Sequence, residues 1–126
     1  MGLKRRAGRA ALLASAAVLA ACVASAQPVP TAGDSPEVVV TTDSGAELRF
    51  VPAEVVAPPN TPVRLVFRNA STQPHNLTFD APLAGRTRTI VEAGGSDVIE
   101  LTTPGPGRYG FGCTIHMGMS GTLDVK

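Results

Sequence analysis

Cysteine and histidine are scarce in this 126-residue chain, with two of each, and its charges nearly cancel at +1. Near-neutral balance excludes a dedicated nucleic-acid binder. The length excludes tandem domains and a large multi-lobed enzyme, leaving one domain, or one small domain behind a targeting segment. Two cysteines in an exported chain would ordinarily pair as one disulfide, and no Cys-x-x-Cys pair of the kind typical of zinc sites is present. What is plentiful is apolar side chain, at 44%, too much and too well patterned for a disordered chain. The 13 Gly and 11 Pro are spread without period, which suits short strands and turns rather than long helices.

The N-terminus explains the basic excess. Met1 to Arg9 carries Lys4, Arg5, Arg6 and Arg9 without an acid, and Ala10 to Ala21 is apolar except for Ser15. A basic start and a short apolar stretch make a secretory signal, too short and Ala-rich to span a bilayer comfortably. Two processing sites compete. Ala24-Ser25-Ala26 is an A-x-A site for cleavage after Ala26, whereas Leu19-Ala20-Ala21-Cys22 resembles a bacterial lipobox in which Cys22 becomes the lipidated first residue. The lipobox is favoured, so residues 1–22 are read as a lipoprotein-type signal peptide and the product as periplasmic or at the cell surface, anchored to a membrane. Each buried methylene of the acyl chains would contribute about 0.8 kcal/mol to that anchoring. Residues 23–36 (VASAQPVPTAGDSP) have no apolar period and read as a flexible linker with a root-mean-square reach of about 20 Å. Residues 37–126 remain to fold. Without the signal the balance is seven basic against ten acidic residues, a net −3.

The folding segment alternates with a period of two. Val38 and Val40 share a face, as do Leu48 and Phe50. Val63, Leu65 and Phe67 fall on one side of their run and Arg64 and Arg68 on the other. Leu77 with Phe79, Ile99 with Leu101, Tyr109 with Phe111, and Leu123 with Val125 repeat the pattern. Such runs, separated by turn clusters at Pro58-Pro59-Asn60, Ala93-Gly94-Gly95 and Pro104-Gly105-Pro106-Gly107, predict an all-β antiparallel Greek-key sandwich of about seven or eight strands.

Both histidines and the second cysteine stand where strands end. His75 shares the phase of Leu77 and Phe79, and Cys113 that of Tyr109 and Phe111, so both are expected to point inward. After Cys113 the chain turns through His116 and Met119 and re-enters a strand at Gly121 to Val125. Singly, Cys113 reads as a buried small hydrophobe, either histidine as polar surface, and Met119 as filler. Together, one thiolate, two imidazoles and a thioether are the soft and borderline donors that select copper, with Met as a weak axial ligand. The cysteines thereby part company: Cys22 belongs to export and Cys113 to a metal, and no disulfide is expected.

The run from Tyr109 through Cys113, His116 and Met119 to Val125 resembles the C-terminal hallmark of the cupredoxins, the blue copper proteins. Pro74-His75-Asn76-Leu77-Thr78-Phe79, Phe50-Val51-Pro52, Thr61-Pro62-Val63 through Asn69, and Glu92-Ala93-Gly94-Gly95 extend the resemblance over about Leu48 to Val125. Two residues separate Cys113 from His116, and two more separate His116 from Met119. This compact spacing is similar to the short-loop members of the plastocyanin/amicyanin branch. Ile115 departs from the proline common there. The resemblance implies one copper per chain, with His75, Cys113 and His116 as strong ligands and Met119 as the long axial one. It also implies that Asn76 ties the two ligand loops together and donates its backbone N–H to the Cys113 sulfur.

The implied function is one-electron transfer between Cu(II) and Cu(I) through the solvent-facing edge of His116. An apolar rim of Ile115 and Met117, with Pro82 or Leu83 nearby, would dock redox partner proteins such as haem proteins or a membrane oxidase or reductase in small, short-lived contacts. A monomer is expected, and not an enzyme: there are no paired carboxylates near the motif, no Ser-His-Asp set and no spare histidine for a second copper. The alternative is a periplasmic copper-binding or delivery protein. Met117 beside Met119 favours it; the lack of any longer Met- or His-rich segment opposes it.

Overall fold

The computed structural model describes residues 33–126; the expected signal, the Cys22 lipidation site, the cleavage site after Ala26 and most of the linker lie outside the described residues. Eight strands follow: β1 (Glu37–Thr42), β2 (Phe50–Val51), β3 (Glu54–Ala57), β4 (Pro62–Arg68), β5 (Thr78–Phe79), β6 (Ser96–Thr102), β7 (Gly107–Gly112) and β8 (Ser120–Val125). They form two four-stranded sheets, ordered β2-β1-β4-β6 and β3-β8-β7-β5, with no helix among the described residues. The sandwich follows directly from the alternation, since each run has one apolar face to bury and only another sheet to bury it against.

The sheets are mixed, which corrects the expectation of purely antiparallel pairing. β1 lies parallel to β4 and β3 parallel to β8, while β4–β6 and β7–β8 are antiparallel. Alternation fixes which side chains share a face but carries no information on the direction of the neighbouring strand. A second correction concerns Leu48. It is 42% exposed because the chain is still in a turn there: Asp43 N–H donates to Arg49 O (3.0 Å) and Arg49 N–H to Glu47 O (3.0 Å). Only Phe50 enters the core.

That core takes Val38, Val40, Val63, Leu65, Phe67, Leu77, Phe79, Ile99, Phe111, Leu123 and Val125, the faces expected from the period. Leu83 belongs to it as well and so does not stand on the expected rim. Phe111 is the central ring. Its centroid lies 5.1 Å from Phe50 and 5.6 Å from Phe79, both edge-to-face, the arrangement that suits the opposed charges of ring edge and ring face. Gly121 sits directly across from Phe111, and a Cβ there would run into the ring; the missing side chain is what lets β7 and β8 close over it.

The turn residues match the backbone they occupy. Asn60 has φ +50° after its two prolines, and Gly94 has φ +74°, conformations that Asn and Gly tolerate best. At the opposite end of the sandwich from the Pro58–Asn60 turn, β5, β7 and β8 meet. Thr78 stands opposite Gly112, and Gly112 opposite Ser120, so the segments just before β5 and between β7 and β8 are neighbours by construction.

Because Phe111 joins two sheets, Phe111→Ala is expected to cost about 3–5 kcal/mol. Urea unfolding of the metal-free protein measures this, and a loss below about 1 kcal/mol would contradict the assigned core.

Candidate metal centre

The loop that follows β7 is short and closed on itself. Cys113 N–H donates to Met119 O (2.9 Å) and Met119 N–H to His116 O (3.4 Å), returning the chain to β8 within one turn. Gly118, with φ +81°, supplies the left-handed residue that this return needs. The turn sends alternate side chains apart: Met119 is 2% exposed and packs with the core, whereas Met117 is 100% exposed.

His75 is delivered by a different segment. Its backbone exchanges two hydrogen bonds with Val91 (3.1 and 2.8 Å), and Leu77 exchanges two with Thr87, one through the Thr87 hydroxyl (2.9 and 3.1 Å). The preceding loop is pinned by Asn69, whose Nδ2 donates to Gln73 O (2.7 Å) and Val91 O (2.8 Å). Its Oδ1 accepts from the Thr42 hydroxyl (3.1 Å) and from Ser71 N–H and Oγ (3.1 and 2.9 Å). Nothing in the sequence reading marked Asn69 or Thr42 as anchors, yet a signal was present. Both fall on the inward phase of their strands, where a polar residue has to be satisfied internally.

These two segments bring His75, Cys113 and His116 together. One ligand atom from each lies within 4.8 Å of the others. The Cys113 sulfur is 3.9 Å from Nδ1 of His75 and 3.7 Å from Nδ1 of His116, and the two imidazole centroids are 4.6 Å apart. His75 is 1% exposed, Cys113 is buried and His116 is partly open to solvent. Cys113 is a free cysteine. A buried thiol facing two imidazoles, with a buried thioether on the same loop, is a donor set for copper and poor for the hard, oxygen-seeking cations.

Asn76 links the loops through its side chain. Oδ1 accepts from Thr114 N–H (2.8 Å), while Nδ2 donates to the Thr114 hydroxyl (2.8 Å) and to Thr89 O (2.8 Å). The Cys113 sulfur itself faces Nδ1 of both imidazoles. Thr114 and Thr89 were missed at the sequence level, since a threonine in a loop carries no distinctive spacing.

The fold and this cluster define a class, the small β-sandwich with a buried Cys-His-His cluster at one end. Residues 12–125 match the family model described as a cupredoxin-like domain. The chain is 34% identical over 117 residues to the chloroplastic plastocyanin minor isoform of Arabidopsis thaliana, covering 82% of this chain and 67% of that one. Among solved structures, auracyanin B is similar at 26% identity and TM-score 0.63, covering 80% of this chain and 93% of that chain. The sodium-dithionite-reduced auracyanin of Roseiflexus castenholzii shares the fold, at 24% identity and TM-score 0.63, covering 73% of this chain and 98% of that one.

The chain belongs to the cupredoxin-like family. It is an electron carrier of the plastocyanin kind, and its cofactor is a single copper.

Burial holds the His75 pKa below its ordinary value of 6.5, and the neighbouring His116 lowers it further. The imidazole is thereby kept neutral, the form that ligates metal. In the metal-free protein the unfolded chain therefore binds more protons than the folded one between the depressed pKa and 6.5, so stability present above 6.5 is lost as pH falls through that window. Urea midpoints from pH 8 to pH 5 should show this decline in the metal-free protein and a flatter profile in His75→Asn. A flat wild-type profile would refute it.

Proposed function

We propose that His75, Cys113 and His116 hold the copper as strong ligands and Met119 as the long axial one. The observation that carries this is the convergence of three donor atoms within 4.8 Å, contributed by two loops that share hydrogen bonds. Bound there, copper would supply a one-electron couple between Cu(II) and Cu(I). The protein's part is to hold the donors alike for both oxidation states. The Asn76 amide fixes one loop against the other, and the sandwich core beneath keeps bulk water from Cys113. The partly exposed His116 is the route for the electron, and exposed Ile115 and Met117 around it form the apolar contact for a partner. Leu83, being buried, has no share in that rim.

The remaining assignments rest on the sequence. Residues 1–22 would export the chain, and Cys22 would carry lipid and hold it at a membrane facing the periplasm or cell exterior. The linker would let a monomeric domain reach redox proteins, haem proteins or a membrane oxidase or reductase among them. Copper delivery is disfavoured, because Met117 points to solvent and no Met- or His-rich segment stands beside it.

Titrating the metal-free protein with Cu(II) should give an intense visible absorption that saturates at one copper per chain and is lost in Cys113→Ser. A colourless product from the wild type would overturn the ligand assignment. For the anchor, full-length chain expressed with a radiolabelled fatty acid should incorporate label and sediment with membranes. Cys22→Ser should lose both; label retained by that variant would refute lipidation at this residue.

A further inference from the structure

The domain is net acidic, yet its unneutralised cations collect in one place. Four of its basic residues have a carboxylate within 4.0 Å: Arg49 with Asp43 and Glu47, Arg64 with Glu37 and Glu100, Arg108 with Glu54, and Lys126 with Asp124. Arg68, Arg86 and Arg88 have none among the described residues, and residues 1–32 contain no acid that could supply one. All three are exposed.

They are also neighbours. Arg68 stands opposite Ser96 across β4 and β6, and the Arg88 guanidinium donates to Ser96 O (2.7 Å). Arg86 lies two residues away, bridged to Thr78. The nearby Asp97 carboxylate does not neutralise them directly, since its oxygens accept from the backbone N–H groups of Arg88 (2.8 Å) and Val98 (2.9 Å). Glu92, exposed beyond Val91, is the remaining acid at this end of the segment.

The segment bearing Arg86 and Arg88 is bonded to the metal centre. Val91 pairs with His75, and Thr89 O receives the Asn76 amide. At about 3.3 Å per extended residue, Arg88 is about 10 Å along the chain from the partner of His75. Between them Ile90 is exposed, giving an apolar spot flanked by positive charge.

We propose that Arg68, Arg86 and Arg88 form a cationic docking surface for an acidic face of a redox partner protein. This deepens the electron-carrier reading by naming the charge of the partner and the side from which it approaches. A chain that is net −3 without its signal repels an acidic protein at long range. Three cations on one side turn that repulsion into orientation, because the attractive face is the one beside the ligand segments. At about 0.1 M salt the field of such exposed charges fades within about 10 Å, so the contact is short-lived and salt-sensitive.

The test uses the metal-free protein, so that it stands or falls apart from copper binding. ¹⁵N-labelled protein is titrated with an octaglutamate peptide at low salt. Shifts should centre on Arg68, Arg86 to Ile90 and Ser96, and vanish at 0.5 M NaCl. In R68Q/R86Q/R88Q the affinity should fall on the order of tenfold. R68Q/R86Q, which removes no side-chain hydrogen bond, should lose part of it, and R49Q none. Shifts centred on Arg49 or Arg108, or equal loss in R49Q, would overturn the proposal. So would binding to phosphatidylglycerol vesicles without binding to the peptide, which would make the surface a membrane contact.

Discussion

The metal centre depends on one buried carboxamide. Asn76 accepts from Thr114 N–H and donates to the Thr114 hydroxyl and to Thr89 O, each at 2.8 Å. Three segments distant in sequence therefore share a single side chain: the one that carries His75, the one that carries Cys113 and His116, and the strand-like stretch that leads to Val91. Asn76 is itself 2% exposed, and leaving its buried amide unpaired costs about 1–3 kcal/mol. The separation of the loops is thus set by hydrogen-bond length before a metal is considered. For a protein whose ligands must serve two oxidation states, that constraint matters more than any single ligand, because it resists the rearrangement each state would otherwise prefer.

Beneath Asn76 lies a second set of buried polar anchors, and it explains how a long loop can hold a ligand. Asn69 occupies the position after β4 where the next inward side chain belongs, and Thr42 does so at the end of β1. Parallel pairing of β1 with β4 brings these ends side by side, so the Thr42 hydroxyl meets the Asn69 carbonyl oxygen. The other half of the Asn69 amide holds Val91 O, the same oxygen that accepts from His75 N–H. The position of His75 is therefore inherited from the sheet through two side chains, not from the loop's own conformation. The mixed topology that alternation could not reveal is what makes this possible: with antiparallel β1 and β4 these two ends would lie at opposite edges.

Faces and donors were legible in the sequence; directions and supports were not. Period-two alternation placed Val63, Leu65, Phe67, Leu77, Phe111, Leu123 and Val125 inside because burial acts on each residue separately, and a strand reports it every second position. The same rule put His75 and Cys113 inward. Leu48 failed because alternation was extended through a turn, where the backbone no longer obeys it. Leu83 failed for the converse reason: no period marks a loop residue that folds back into the core. Thr114, Thr89 and the parallel pairings are properties of two distant segments at once, and a single chain read residue by residue contains no term for them. The polar residues on the inward phase, Thr42 and Asn69, were the one overlooked clue, since such a position is tolerable only when a partner waits for it.

The same separation of faces organises what the centre shows to solvent. Gly118 turns the loop so that of two methionines two residues apart, one enters the core and the other projects fully outward. Their chemistry is identical and their roles are opposed, and backbone dihedrals alone decide between them. The thioether held inside packs with the core. The one outside, with Ile115, provides soft apolar contact around His116 without a hydrogen-bonding group that would have to be desolvated. The charged groups are distributed on a parallel principle. Where arginines face carboxylates across the sheets, they neutralise one another and leave little field. Where the segment from Arg86 to Val91 is committed by its backbone to the ligand loops, its guanidinium groups have no carboxylate within 4.0 Å among the described residues. Rigid backbone bonding on the inner side and unsatisfied charge on the outer side are thus consequences of one arrangement: the segment that secures His75 is also the one that has surface to spare.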